Sequence, residues 1–310
     1  MWCVNSCSNH NLTTSNIFSL CVCFSFCNIT LVCAGSNTGI GKATALDLAK
    51  RGARVILACR SRERAEAAVY DIRRESGNNQ VLFMPLDLSS LQSVRDFVET
   101  FLKTEPRLDF LINNAGIVGP GRTQEGFGME FGVNHLGHFL LTLLLLERLK
   151  QSAPSRVVTV SSLVHLLGHI DFKLLESTKD LVQGDRNTLK NLQAYAHSKL
   201  CNVLFTRELA NQLEGTNVSC FCLHPGVVQT ELGRNMSLIH QLLVLPIAKL
   251  FFLDPEGGAQ TTLHCVLKEG LEPLSGRYFS HCAVAQVSAK GRDDALAKKL
   301  WEVSERLTGI

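Results

Sequence analysis

Short apolar runs alternate along this chain with longer segments in which apolar residues recur every three or four positions. The short runs predict strands at 29–33, 54–59 (RVILAC), 81–87 (VLFMPLD), 109–115 (DFLINNA), 156–162 (RVVTVSS), 218–223 (VSCFCL) and 277–280. The longer segments predict helices near 40–51, 62–75, 90–103, 125–150, 193–214, 255–269 and 292–307. Strand and helix taking turns in this way is the pattern of βαβ units with both sheet faces covered. With right-handed crossovers it gives an α/β architecture: a doubly wound, seven-stranded parallel sheet whose ligand lies at the carboxyl ends of the strands. No proline-rich or charge-rich linker and no repeat divides residues 29–310, so a single domain is expected.

The first 28 residues do not share the register. From 17 to 34 the chain reads IFSLCVCFSFCNITLVCA, apolar enough to raise a membrane span or a signal peptide. A span wants about 20 apolar residues, and this run carries Asn28, Thr30 and serines before a glycine loop that must face water. A signal peptide wants a basic start, and no Lys or Arg precedes Lys42. Residues 29–33 are better read as a buried parallel strand. The remainder, 1–28, is read as an atypical leader and not the native start. Residues up to 34 are largely those that pyrimidine-rich codons encode, and the run leads into Cys33-Ala34-Gly35, as translated intron before a splice acceptor would.

Composition narrows the class. The 310 residues are 45% apolar and 19% charged, with 31 basic against 28 acidic side chains, which excludes disorder, collagen and extended coiled coil. A net charge of +3 with no recognition motif gives no ground for nucleic acid as partner. Half of the twelve cysteines precede residue 34 and most others fall inside apolar runs, which suits buried thiols in reducing surroundings better than a disulfide framework. His135, His138, His165 and His224 do not converge on a closed ligand set, so no metal is expected.

The chemistry-bearing residues gather at the predicted strand ends. Gly35-Ser36-Asn37-Thr38-Gly39-Ile40-Gly41 lies between an apolar strand and an amphipathic helix, where glycines let a pyrophosphate approach free N–H groups at the helix N-terminus. The second strand ends in Cys59-Arg60-Ser61-Arg62, with no Asp or Glu to bond a ribose 2′-hydroxyl. Arg60 suits the 2′-phosphate of NADP(H), which is therefore expected over NAD(H). Asp87, followed by Leu88, can accept from an adenine amino group, and Asn114-Ala115-Gly116 offers small residues beside the cofactor. Ser161-Ser162 ends the fifth strand. Tyr195 and Lys199 are four residues apart and share a helix face, so the ammonium is expected to favour phenolate and lower the tyrosine pKa from its usual value of about 10. Tyr195 would then be the acid in carbonyl reduction and the base in alcohol oxidation.

Taken in order, GSNTGIGKATALDLAKRGARVILACRS, LDLSS, LDFLINNAG, VNHLGHFLLTLLLLERL, SRVVTVSS, YAHSKLCNVLFTRELA, HPGVVQTEL and GGAQTTLHCVLKEGLEPLSGRYF resemble the retinol dehydrogenase branch of the short-chain dehydrogenase/reductases, over roughly 35–281. The resemblance implies a Rossmann fold and a catalytic tetrad of Asn134, Ser162, Tyr195 and Lys199. In it Asn134 holds a water beside Lys199, and Lys199 also binds nicotinamide ribose. It further implies that Pro225, Gly226 and Val227, in the stretch His224 to Val228, close over nicotinamide, with Thr230 near its amide or phosphates, and that residues 35–41 hold pyrophosphate. Departures are Ala34, where the family commonly has threonine before the glycine, and a longer stretch between Ser162 and Tyr195.

An NADP(H)-dependent oxidoreductase interconverting a lipophilic aldehyde or ketone and its alcohol is the function these readings imply. The alternative is a cofactor-binding protein of the same fold with little turnover, a regulator or partner. A substrate lid is expected at about 230–255. The run 238–253, LIHQLLVLPIAKLFFL, reads equally as that lid, as a surface dipping into lipid or as buried core, and Pro246 makes it a poor span. The resemblance is also compatible with a homodimer paired through the Tyr195 helix, and with a cytosol-facing, intracellular location at the endoplasmic reticulum membrane.

Overall fold

The structure, a computed structural model, describes residues 26–185, 187–226 and 253–310. β1 (Thr30–Ala34) is wholly buried, and its side chains alternate between two apolar layers. It pairs in parallel with β2 (Arg54–Cys59) on one side and β4 (Phe110–Asn113) on the other, with Leu31 opposite both Val55 and Phe110. β3 (Val81–Pro85), β5 (Ser155–Val160), β6 (Val218–His224) and β7 (Tyr278–Ser280) complete the parallel set in the order β3-β2-β1-β4-β5-β6-β7. The sheet reverses its winding between β1 and β4, where an open α/β sheet leaves a crevice at its carboxyl edge.

A short eighth strand, β8 (Ala283–Val284), adds an antiparallel edge beyond the seven expected. His281 and Cys282 join it to β7 with φ of +51° and +59°, the two left-handed residues of a tight hairpin turn. Asn-Gly or Asp-Gly normally signals such a turn, so His-Cys left no mark in the sequence.

Helices cover both faces. α1 (Gly39–Lys50) and α2 (Arg62–Ser76) lie against the face carrying Leu31, Val55, Leu57 and Ile112, together with α7 (Pro255–Leu267). The opposite face, with Val32, Ile56, Leu111 and Val157, is covered by α3 (Leu91–Thr104), α4 (Met129–Gln151) and α6 (Thr188–Gln212). A short α5 (Phe172–Thr178) precedes α6, and the C-terminal α8 (Asp294–Thr308) brings Trp301 to within 5.1 Å of Phe139 on α4 and 6.0 Å of Phe205 on α6, ring to ring. α4 is long and apolar enough to cross a membrane, but it is mostly buried within this fold. Six cysteines, at 33, 59, 201, 220, 222 and 265, are buried free thiols as expected, whereas Cys27 and Cys282 are exposed.

Several boundaries differ from the sequence reading: β3 stops at Pro85 and not at 87, and α6 begins at Thr188 and not near 193. α4 starts at Met129 and not near 125, and Gly132–Gly137 form a wide π turn before α-helix resumes at His138. A β-carbon at Gly132 or Gly137 would meet Thr123 Cγ2 at 2.1 Å or the Leu88 carbonyl at 2.7 Å, so only glycine lets this turn press so close to its neighbours. β4 stops at Asn113, because the Asn114 amide turns back onto the Ile112 carbonyl and releases 114–116 from the ladder. β5 stops at Val160. Ser161 still donates its amide to the Leu223 carbonyl, but Ser162 opens a 3₁₀ turn over Leu163–Leu167.

Candidate active site

The glycine loop runs from the end of β1 into α1. Gly35 has φ of +74°, and a β-carbon there would lie 2.7 Å from Ala115; one at Gly41 would lie 2.4 Å from the Gly35 carbonyl oxygen. Asn114 Nδ2 donates to that same oxygen at 2.8 Å, tying the end of β4 to the loop across the crevice. Ser36 turns its hydroxyl inward, donating to the Cys33 carbonyl at 2.7 Å. Thr38 sits at the N-cap of α1 in extended conformation with no side-chain cap, and no acidic residue occupies the first turn. By contrast Ser90, Asp171, Asn187, Asp254 and Asp293 cap their own helices with side-chain oxygens. The loop around Asn37, Gly39 and Ile40 thus presents uncapped N–H groups with the partial positive charge of a helix start, which fits a pyrophosphate.

The neighbouring strand ends agree. Arg60 is exposed past the end of β2 and makes no ion pair among the described residues. Arg62, in contrast, is engaged with Glu66 at 2.9 Å and the Phe83 ring at 5.4 Å. Asp87 Oδ1 accepts from Ser89 through both its amide and its hydroxyl, which fixes the carboxylate and leaves its second oxygen available. Leu88 is buried beneath it against Gly137. A β-carbon at Gly116 would lie 3.5 Å from Lys199 Nζ, so the loop after β4 leads from the nucleotide cradle to the reactive groups.

Those groups come from three elements. Tyr195 and Lys199 stand on α6, with Lys199 Nζ 5.4 Å from the Tyr195 ring centroid. Lys199 is 2% exposed and donates to the Val160 carbonyl at 2.9 Å. Ser162, just past β5, hydrogen-bonds the tyrosine side chain. Asn134 lies in the π turn of α4. Its Oδ1 accepts from the Ile117 amide at 2.8 Å, while its Nδ2 donates to the Ile117 carbonyl at 3.0 Å and to Ser198 Oγ at 2.9 Å. All four residues of the expected tetrad therefore meet at the carboxyl edge of the sheet.

The electrostatics correct one expectation. Burial raises the Tyr195 phenol to about 12, opposed by the Ser162 hydrogen bond, and Lys199 does not bring it down. Its ammonium is tied to a carbonyl and is itself weakened by burial, to about 8. The resting site therefore holds a protonated phenol, and phenolate is not favoured.

Of the nicotinamide-loop residues, Pro225 and Gly226 follow β6, and Gly226 has φ of +90°. Val227, Thr230 and nearly all of the expected lid lie outside the described residues, as does the leader as far as residue 25. The histidines bond locally: His135 to Ser304 Oγ at 2.8 Å, His138 to the Asn134 carbonyl at 3.1 Å and His165 to the Ser162 carbonyl at 2.7 Å. Sequence reasoning missed Ser198, which links Asn134 to the Tyr195 carbonyl; Ser161, singled out with Ser162 at the strand end, donates its hydroxyl to the Lys199 carbonyl at 2.8 Å. Ser198 is three residues from Tyr195, one short of the four that flagged Lys199 but on the same helical face.

Comparison with known proteins agrees with this geometry. The short chain dehydrogenase family model matches residues 29–184. Dehydrogenase/reductase SDR family member 13 of Homo sapiens is 57% identical over 282 residues, 91% of this chain and 73% of its own length. Retinol dehydrogenase 12 of Homo sapiens is 52% identical over 90% of this chain and 86% of its own. A solved structure of an uncharacterized protein from Mycobacterium paratuberculosis, 34% identical, superposes with a TM-score of 0.72 over 92% of this chain and 95% of its own. This chain belongs to the short-chain dehydrogenase/reductase family, as an oxidoreductase of CH–OH donors with a nicotinamide cofactor, closely related to the retinol dehydrogenases.

Proposed function

We propose that the protein is an NADP(H)-dependent oxidoreductase that interconverts a lipophilic aldehyde or ketone and its alcohol, with Tyr195 as general acid and base. The observation that carries it is the meeting of Tyr195, Ser162, Lys199 and Asn134 beside an uncapped glycine loop at one sheet edge. A bound nicotinamide supplies the hydride donor or acceptor. The chain does the rest. The Ser162 hydroxyl orients the substrate oxygen against the phenol, Tyr195 donates its proton to that oxygen in reduction and takes it back in oxidation, and Lys199 and Asn134 keep the proton chain in register.

Arg60, exposed and without an ion pair among the described residues, supports the preference for NADP(H) through charge-assisted bonds to a 2′-phosphate. Leu163, Leu166 and Leu167 next to Ser162, and Leu189 and Leu192 on the turns before Tyr195, are all exposed apolar side chains, which supports a lipophilic substrate and contact with a membrane surface. A cytosol-facing location at the endoplasmic reticulum and pairing of two copies through α6 belong to the same reading.

The test is NADPH and NADH oxidation by the full chain with a panel of retinals, medium-chain aldehydes and ketosteroids. Turnover that prefers NADPH, falls by about 10²-fold or more in Tyr195→Phe, and loses its NADPH preference in Arg60→Asp is expected. Cofactor binding with no Tyr195-dependent turnover on any substrate would overturn the assignment. An altered lead that weakened the first strand would favour the regulatory alternative, and β1 is formed, buried and paired on both sides.

A further inference from the structure

Behind Lys199, away from the crevice, a row of polar side chains crosses an otherwise apolar layer. Asn113 on β4 and Thr159 on β5 are register partners and share the sheet face that α4 and α6 cover. Asn113 Nδ2 donates to Thr142 Oγ1 on α4 at 2.9 Å, and Asn202 Nδ2 on α6 donates to the Val160 carbonyl at 3.2 Å, the same oxygen that receives Lys199. On α4, Asn134, His138 and Thr142 recur every four residues, so His138 lies on the stripe between one residue bonded to Ser198 and another bonded to Asn113.

Within this seam Asn113 Oδ1, Thr159 Oγ1, Asn202 Oδ1 and His138 Nε2 are buried without a hydrogen-bond partner among the described residues, in residues no more than 1% exposed. Buried polar atoms are nearly always satisfied, and four in one seam call for a ligand. The chemistry of the set says which. The two amide oxygens are acceptors, and so is His138 Nε2, because its Nδ1 donates to the Asn134 carbonyl. The occupant must supply hydrogens. A metal cation would also suit oxygen acceptors, but the adjacent ammonium of Lys199 repels it. Water, with two donors and no charge, fits.

We infer that this seam holds buried water on the inner side of Lys199, bonded by Asn113, Thr159, Asn202 and His138, and that this water holds the lysine ammonium in its protonated, donating state. The inference rests on the oxidoreductase reading for its effect on rate, but not for the hydration itself. It adds a positioning set to the reaction: these four residues touch neither substrate nor cofactor and act through Lys199. The titratable groups facing the seam are Lys199 and Tyr195 from α6, His138 from α4, Cys222 from β6, opposite Thr159, and beyond it Tyr278 from β7, opposite Cys222. Burial and the Lys199 charge hold His138 at about 4, so it is a neutral acceptor at physiological pH.

Two measurements test this. A high-resolution crystal structure of the full chain with NADPH should show density for water bonded to at least two of the four atoms; a dry seam overturns the inference, whatever the enzyme's activity. Rate against pH for aldehyde reduction supplies the second. Thr159→Val keeps the shape and removes the hydroxyl. It should move the alkaline limb down by about one pH unit, the size expected for one hydrogen bond to a charged network, with KM unchanged and Thr159→Ser restoring the limb. A fall in melting temperature with the limb unmoved would mean that Thr159 only packs, and the role through Lys199 would be wrong. If the parent shows no Tyr195-dependent turnover, the oxidoreductase reading fails and the crystal still decides the water.

Discussion

Replacing Lys199 with methionine should make the fold more stable at neutral pH while abolishing turnover. The lysine is 2% exposed, and burial lowers its pKa from 10.5 to about 8. At 1.36 kcal/mol per pKa unit, this drop withholds up to about 3 kcal/mol from the folded state wherever the amine is charged in both states, and water in the seam behind the lysine reduces that figure. Methionine has a similar reach and no charge. It gives up the hydrogen bond to the Val160 carbonyl, worth about 1 kcal/mol, and Asn202 still donates to that oxygen. The net expectation at pH 7 is a gain of about 1–2 kcal/mol.

The sign must reverse with pH. Between about 8 and 10.5 the unfolded chain binds more protons at Lys199 than the folded one, so the stability of the parent rises through that window. Below about 8 the parent carries its full deficit, and above 10.5 it carries none. Buried tyrosines and cysteines also titrate in alkali, but they are common to both proteins and cancel in the difference. Urea unfolding of parent and Lys199→Met at pH 7, 8.5 and 10 measures that difference, with NADPH oxidation as the activity readout. A variant less stable than the parent at pH 7, by an amount that does not change up to pH 10, would refute a lysine held in its charged form against the cost of burial.

Gly41→Ala should abolish cofactor binding, because its β-carbon would lie 2.4 Å from the Gly35 carbonyl oxygen and 2.9 Å from Ser36 Cα, both backbone. A fluorescence titration with NADPH should show affinity reduced more than about tenfold, with about 1–3 kcal/mol of stability lost to overpacking; unchanged affinity would mean the loop does not cradle the cofactor. Arg156→Met should cost about 3 kcal/mol or more in urea unfolding, since the guanidinium donates to the carbonyls of Cys265, Val266 and Lys268 at the end of α7 and to Glu272 at 2.8 Å. Asp293→Ala should remove about 1 kcal/mol through the lost cap on Leu296 N of α8 without altering turnover; a loss of activity would tie α8 to the site.

The seven parallel strands were legible because each is short, apolar on both sides and punctuated by glycine, proline or a polar cluster, which leaves little else for those residues to do. What escaped was decided by contacts between distant segments. The π turn that sets Asn134 depends on Thr123 and Leu88 pressing on Gly132 and Gly137, and nothing local to VNHLG announces it. β8 depends on two non-glycine residues in left-handed conformation. Tyr195 and Lys199 were legible as positions from their i to i+4 spacing, and a serine at 161 or 162 from the strand end, whereas Asn134 and the choice of Ser162 came only with the resemblance. The protonation state of the tetrad was not legible. Spacing argues for a lysine that acidifies the phenol, whereas burial of the phenol and amine groups reverses the balance: it drives half-buried Tyr195 up to about 12 and Lys199 down to about 8. With phenol and ammonium both protonated at neutral pH, proton donation to a carbonyl needs no prior rearrangement, while alcohol oxidation requires the phenol to shed a proton that burial holds in place. Loss of contact with water therefore sets the resting state of the site, a neutral phenol beside a buried amine, and that is the state from which a proton is given in reduction and to which it returns in oxidation.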